Sequence, residues 1–381
     1  MVSKDRIGPF LALLLAAPVG WVACNSLVGI DEPTLRADTG TAVSDAASDA
    51  GACVLARPPP VPTAEGPGTP SDVNFVAAVR KVELSVEPGT PPTGYDLDGR
   101  CTCVADAGES CTRKGAQVAH CDYPGGRDLS LNATVVPAIF AYPGFSVDSI
   151  SKGFEAGAFG VLVQVRGYNG TPNDSKVEAS MIVSVGTTGG AAPQWKGADS
   201  WDLEDESVIA YDAGVAVAKF SDPSAWVADG VLVASQLSQL QLPVTLGATA
   251  IRLELTSAAF TARIRKDPAG YGLAEGQVVG RIKTSSLLRA IGPVEVGGTA
   301  LCALPEASPV AELRRGIVSK ICEAADLSFN QKRDQDQLAD CDAMSFGLRF
   351  TAEHALLGKV GKAPTPDAGC PPTWATIACP N

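Results

Sequence analysis

Eleven cysteines in a chain of 381 residues set the tightest limit on what this sequence can fold into. The first, Cys24, stands behind an apolar run from Ile7 to Val22, and the other ten are spread from Cys53 to Cys379. Ten is an even set that can pair completely, and such pairing belongs to an oxidising compartment outside the cytosol. Cys101, Cys103, Cys111 and Cys121 crowd into one stretch with Gly99, Gly108 and Gly115. Their spacing lacks the C-x-x-C pairs of tetrahedral zinc sites, so disulfides are expected there. Cys302, Cys322 and Cys341 bracket a predicted helix. Cys53 is expected to pin the N-terminal segment to the body, and Cys370 with Cys379 to close a small tail loop. The remaining connectivity is open.

Lys4, Arg6, the apolar run, Ala23 and Cys24 follow in the order charge, apolar centre, small residue, cysteine. Gly8, Pro9, Pro18 and Gly20 interrupt the run, which is shorter than the ~20 apolar residues of a spanning helix. This order resembles the signal peptide of bacterial lipoproteins. The resemblance implies removal of residues 1–23, lipidation at Cys24 and a membrane anchor of acyl chains. Asn25, where inner-membrane retention uses Asp, implies sorting to the outer membrane, on its periplasmic or cell-surface face.

Acidic residues number 42 against 30 basic ones, a net charge of −12. The segment before Cys24 carries Lys4, Asp5 and Arg6, a net +1, so the mature chain stands near −13. Such a chain has no general attraction for nucleic acid. Residues 24–71 are rich in Ala, Asp, Ser, Thr, Gly and Pro, including Arg57-Pro58-Pro59-Pro60, and read as an extended, solvated tether.

From residue 72 to 360 the pattern has period two. Val82, Leu84 and Val86 alternate with polar neighbours, as do Val177 to Val185, Ile251 to Leu255, Phe260 to Ile264 and Phe346 to Phe350. Val161–Arg166 and Val231–Ala234 add strands, and Asn169-Gly170, Asp229-Gly230, Asp267-Pro268 and Glu275-Gly276 read as turns. Two helices are expected. One follows Thr284 through Leu287, Leu288 and Ile291. The other spans about 309–325, with Ser308 as cap, Pro309 first, and Leu313, Ile317 and Ile321 in one stripe. Residues 361–381 form a Pro-rich tail. The expected fold is all-β, a disulfide-stapled antiparallel β-sandwich whose strand rhythm resembles the lectin-like concanavalin and laminin-G jelly rolls.

Chemistry is sparse. His120 and His354 lack the setting of a metalloprotease or a triad and read as structural. Asp202, Glu204 and Glu206 share one face if their segment is a strand. That run loosely resembles the E-x-D-x-x-E motif of sandwich-fold β-glucanases, which implies glycoside hydrolysis; three like charges also describe a solvated edge. Asp96 and Asp98, in a D-x-D-G turn, and Asn173 and Asp174, in a second turn, are candidates for a structural Ca²⁺; no other cofactor is implied. Trp195, Trp201, Trp226 and Tyr168 could stack on sugar or pack the core. The expected function is a non-catalytic, envelope-anchored lipoprotein whose body binds a glycan or a protein. The alternatives are an anchored glycoside hydrolase and a purely structural envelope protein.

Overall fold

The computed structural model describes residues 53–66, 72–84, 93–103, 108–114, 120–141, 145–212, 215–247, 249–304, 311–363 and 370–379. The signal segment and Cys24 lie outside them, as do Ser308 and Pro309.

Fifteen strands form among these residues: β1 (Val73–Glu83), β2 (Gly160–Tyr168), β3 (Asp174–Thr187), β4 (Ser200–Glu204), β5 (Val208–Asp212), β6 (Val215–Ala218), β7 (Phe220–Ala228), β8 (Val231–Leu237), β9 (Leu240–Leu246), β10 (Thr249–Asp267), β11 (Gly270–Lys283), β12 (Glu295–Val296), β13 (Thr299–Ala300), β14 (Ala343–His354) and β15 (Leu356–Gly361). Eight of them close a ring in the order β3-β2-β1-β14-β11-β10-β8-β7, and β7 returns to β3, from Asp174 against Val227 to Met181 against Phe220. Every pair in the ring is antiparallel. The fold is therefore a closed barrel, not the expected lectin-like sandwich. Inward-outward alternation is common to both. What separates them is the β3–β7 ladder, a pairing between distant segments that alternation does not encode.

Two strands do double service. β10 pairs β9 with its first half and β8 with its second, and its run bends at Ser257, whose φ is +48°. The two strands expected at Ile251–Leu255 and Phe260–Ile264 are thus one strand of 19 residues with a bulge between them. β3 pairs β7 through residues 174–181 and β4 through residues 184–187. β4 in turn carries β15, in parallel. Glu275-Gly276, expected as a turn, is instead a bulge within β11. A Cβ on Gly276 would meet the Phe350 ring at 2.6 Å, so glycine there makes room for an aromatic in the barrel.

The main core fills the barrel with one residue in two from each strand, Phe75 and Ala77 of β1, Val163 and Val165 of β2 and Phe346 and Phe350 of β14 among them. At ~25 cal/mol per Å² of apolar surface, this burial is the principal stabilising term. The outer face of β1–β3 is covered too. Ala78, Leu162 and Ile182 pack beneath Trp201 and Leu203 of β4 and Ala216 and Ala218 of β6. Asp222 completes the β7–β8 seam next to Pro223, which has no N–H to give: its buried carboxylate accepts from the amides of Ser235 and Gln236.

Four α-helices are present among the described residues: α1 (Val136–Phe140), α2 (Val147–Glu155), α3 (Thr284–Ile291) and α4 (Ala311–Glu323). α3 and α4 match the two expected; α2, capped by the Ser146 side chain, packs on β1 and β9. The disulfides are Cys53–Cys101, Cys103–Cys121, Cys111–Cys341, Cys302–Cys370 and Cys322–Cys379. The expected Cys370–Cys379 loop is thus replaced by two bonds that strap the tail to the end of α4 and to the segment before it, while Trp374 donates to the carbonyl of Leu288 in α3. Residues 53–66 do not hang free as a tether. Besides Cys53–Cys101, Ala56 exchanges main-chain bonds with Gly125 and Asp96, Trp226 donates to the carbonyl of Pro59, and Glu65 accepts from the Ser175 amide. Among the described residues, no helix is long and apolar enough to cross a membrane.

Candidate functional site: a groove over β1 and β2

A groove of about 660 Å³ lies on the outer face of the barrel. Asn74 and Val76 of β1 and Gln164 and Arg166 of β2 line it, with Val215 of β6 and His354, Leu356 and Leu357 at the β14–β15 corner. Alternation explains the placement. Phe75 and Val165 point into the barrel core, so Val76 and Gln164 point out. β4 and the β5–β6 hairpin cover most of this outer face, and the groove is the part they leave open.

Gln164 is 6% exposed, yet its Oε1 has no hydrogen-bond partner among the described residues. Its Nε2 reaches the carbonyl of Ala216 only at 3.4 Å. His354 Nδ1 is likewise buried without a partner. The imidazole lies against Gly270, where a Cβ would approach it to 2.6 Å, so the ring's place depends on that glycine. Both atoms are closed to solvent, and His354, opposite Ala77 in the ladder, turns toward the barrel interior, so the groove's accessible walls are its aliphatic side chains. Charge in the groove is balanced: Arg166 pairs with Glu178 at 2.9 Å, and Glu353, beside His354, is held by Arg265 and Arg80. Around it the surface is apolar, with Val215 52% and Leu356 48% exposed.

The carboxylates singled out from the sequence are elsewhere. Glu204, 1% exposed, is gripped through both oxygens by Arg252. Asp202 accepts from the Thr188 hydroxyl at 2.5 Å and the Lys359 amide at 3.2 Å. Glu206 is exposed. These bonds fasten β4 to β10 and β15, so no pair of free carboxyls faces a common space there.

Asp96 and Asp98 do meet a third carboxylate, Asp128, with one oxygen of each within 4.8 Å of the others. That span suits Ca²⁺, whose oxygen ligands sit at 2.3–2.6 Å. Burial pushes the Asp96 and Asp128 carboxyls up, Asp128 well above the usual range, with the charge of Asp98 acting in the same direction. Burial likewise raises nearby Asp122 to about 7. The counter-charges are few: Arg57 stands 3.6 Å from Asp96, and buried Arg281 is engaged by Asp334 and the carbonyls of Leu97 and Ser328. Asn173 and Asp174 do not join this group. They accept from the amides of Asp229, Asn169 and Lys176, which is turn chemistry.

His120 sits in the stapled loop, bonded to the carbonyl of Glu323. Trp201 is core, Trp195 packs against it beneath Arg80, and buried Tyr168 donates to the carbonyl of Thr171. Sequence reasoning passed over Gln164. The available signal was a polar residue inside the apolar run Val161–Val165, on the same face as Leu162.

No protein family, curated protein sequence or solved structure matches this chain. Its function has to be read from geometry.

Proposed function

We propose that this chain is a non-catalytic binding protein of the bacterial cell envelope. It is exported, lipidated at Cys24 and held at the outer membrane by its acyl chains, and it takes its ligand in the groove over β1 and β2. The observation that supports the binding reading is an open groove of ligand-sized volume walled by exposed aliphatic side chains, Val215 and Leu356. The anchoring is supported by cysteine arithmetic: five disulfides consume Cys53 to Cys379, which leaves Cys24 for acylation. The structural pairing of Asp202 and Glu204 removes the reason for a hydrolase reading.

Two measurements test it. Labelled palmitate enters the wild type and not Cys24→Ser; equal labelling ends the anchoring claim. A panel of envelope glycans and envelope proteins is presented to the wild type and to Val215→Asp, a change at a half-exposed wall of the groove. A ligand retained by the first and lost by the second supports the groove. A ligand bound equally by both moves the site elsewhere.

A further inference from the structure

Four of the five disulfides set at least one cysteine in the interior: Cys101, Cys302, Cys322 and both Cys111 and Cys341 are buried. Cys103–Cys121 differs, because both of its residues are exposed. We infer that this bond is the exchangeable one, a site of thiol–disulfide exchange with a dithiol, whose opening releases Asp122 from the acidic cluster of Asp98 and Asp128.

Three observations support this. The first is access. An attacking thiolate has to reach sulfur, and exposed disulfides are the labile ones, whereas a buried sulfur is met only after the structure around it opens. The second is the backbone. Cys103 holds φ at +68°, in the left-handed region that a residue with a Cβ enters at a cost. Cutting the bond lets that residue return to an ordinary conformation. The third is what the bond clamps. Next to it, Asp122 accepts from the Thr102 amide at 2.6 Å and returns its own amide to the Thr102 carbonyl at 3.3 Å. The same carboxyl is crowded by Asp98 and Asp326 and meets Asp128. Like charges press Asp122 outward, and two hydrogen bonds with one exposed disulfide hold it in. Opening stays local. Within the same loop, Cys111 is fixed to Cys341 by a buried bond, and His120 is held 2.9 Å from the carbonyl of Glu323.

The exchange itself is simple. A thiolate of the dithiol attacks one sulfur of the pair, and the other leaves as a thiolate and takes a proton from water. The second thiolate of the reagent then attacks the mixed disulfide, which frees the remaining cysteine and leaves the reagent oxidised. Two electrons pass to the protein, and a disulfide oxidant reverses the sequence.

The experiment uses the full chain in detergent, without denaturant. Free thiols are blocked, dithiothreitol is added, and samples are quenched over time with an isotope-labelled alkylating reagent for peptide mass spectrometry. Cys103 and Cys121 are expected to be labelled together, roughly tenfold or more ahead of any other pair. Oxidised glutathione should restore the bond. Amide exchange at Thr102 should quicken after selective reduction, while β2 and β14 keep their protection. Asp122→Asn keeps an acceptor for Thr102 and removes the charge. In a glutathione buffer at pH 8 it should lower the equilibrium constant for reduction of this bond by roughly threefold or more, since the closed form is no longer opposed. Reduction of another pair first, or of all five together, overturns the assignment of the exchangeable bond. An equilibrium constant unchanged in Asp122→Asn, or amide exchange at Thr102 unchanged on reduction, overturns the release of Asp122.

Discussion

At β4, Glu204 meets Arg252 with both oxygens, and Asp202 accepts a hydroxyl and an amide. In the loops that follow residue 93, Asp96, Asp98 and Asp128 instead face one another, with Asp122, Asp326 and Asp334 nearby and one buried arginine among them. Both regions are acidic and largely buried, yet they are held together differently. The β4 region closes by charge pairing and is free of disulfides. The crowded region is enclosed by three: Cys53–Cys101, Cys103–Cys121 and Cys111–Cys341. Where electrostatics oppose closure, covalent bonds supply it.

The largest expected effect tests that division of labour. Cys111 and Cys341 are 230 residues apart in sequence, so their bond closes the longest loop in the set. Cys111→Ala/Cys341→Ala is expected to lose about 4 kcal/mol in urea unfolding. It should also free the 108–114 segment from its bridge between Thr112 and Asp340, read as faster amide exchange there. A loss under about 1 kcal/mol would break the comparison. Next comes Arg252→Met, which leaves Glu204 buried without its partner. About 3 kcal/mol of stability should disappear, and Glu204→Met in the same chain should restore most of it. A single variant as stable as the wild type would mean that the ion pair is not what closes β4.

A smaller effect, of opposite sign, is expected in the crowded region. Its carboxyls are raised in the fold, Asp122 from 3.8 to about 7, chiefly by burial. A carboxyl whose folded value lies above its unfolded value binds protons more tightly in the native state. Its stabilising contribution is therefore complete below about pH 4 and is lost as pH rises through the folded value. The wild type should become less stable between pH 4 and pH 8. Asp128→Asn keeps an acceptor for the Leu97 amide and removes one negative charge. It should gain about 1–2 kcal/mol over the wild type at pH 8 and nothing at pH 4. Calcium that flattens the wild-type slope at pH 8 would identify the three carboxylates as a cation site. The smallest effect is Glu206→Gln. Glu206 is 63% exposed and stands 3.6 Å from Arg252, so the change should stay within about 0.5 kcal/mol.

Much of the barrel wall was legible because strands with one buried face announce themselves. β2, β3, β8, β10 and β14 all fall on alternating or apolar runs. β7 was hidden by Pro223 and β11 by Gly272, Gly276 and Gly280, residues that read as breaks but occupy a seam bridged by Asp222 and a bulge under Phe350. α2 is short, and its Gly153 lowers helix propensity. Ring closure was beyond reach, since it depends on β3 meeting β7 past the three strands between them and on β1 meeting β14 across most of the chain. At the sites, D-x-D-G marked Asp96 and Asp98, but Asp128 arrives from a different loop and carries no local signature. Gln164 and Val215 belong to separate hairpins, and only tertiary contact makes them one groove.

The Cys53–Cys101 bond has a mechanical consequence. A pull on the chain before Cys53 enters the body through sulfur at Cys101, and the stretch from Val54 to β1 lies off the load path. Without that clasp, tension would rest on the hydrogen bonds of Ala56, Pro59 and Glu65 and, once these gave way, would arrive at Val73 and peel β1 from β2 and β14 one ladder bond at a time. With it, the barrel wall is relieved of strain, as a cable clamp relieves a solder joint. Under the anchoring proposed above, the body can then be tugged without opening its seam. Cys53→Ala/Cys101→Ala is expected to lower the force at which the chain unfolds when pulled from its N-terminal side.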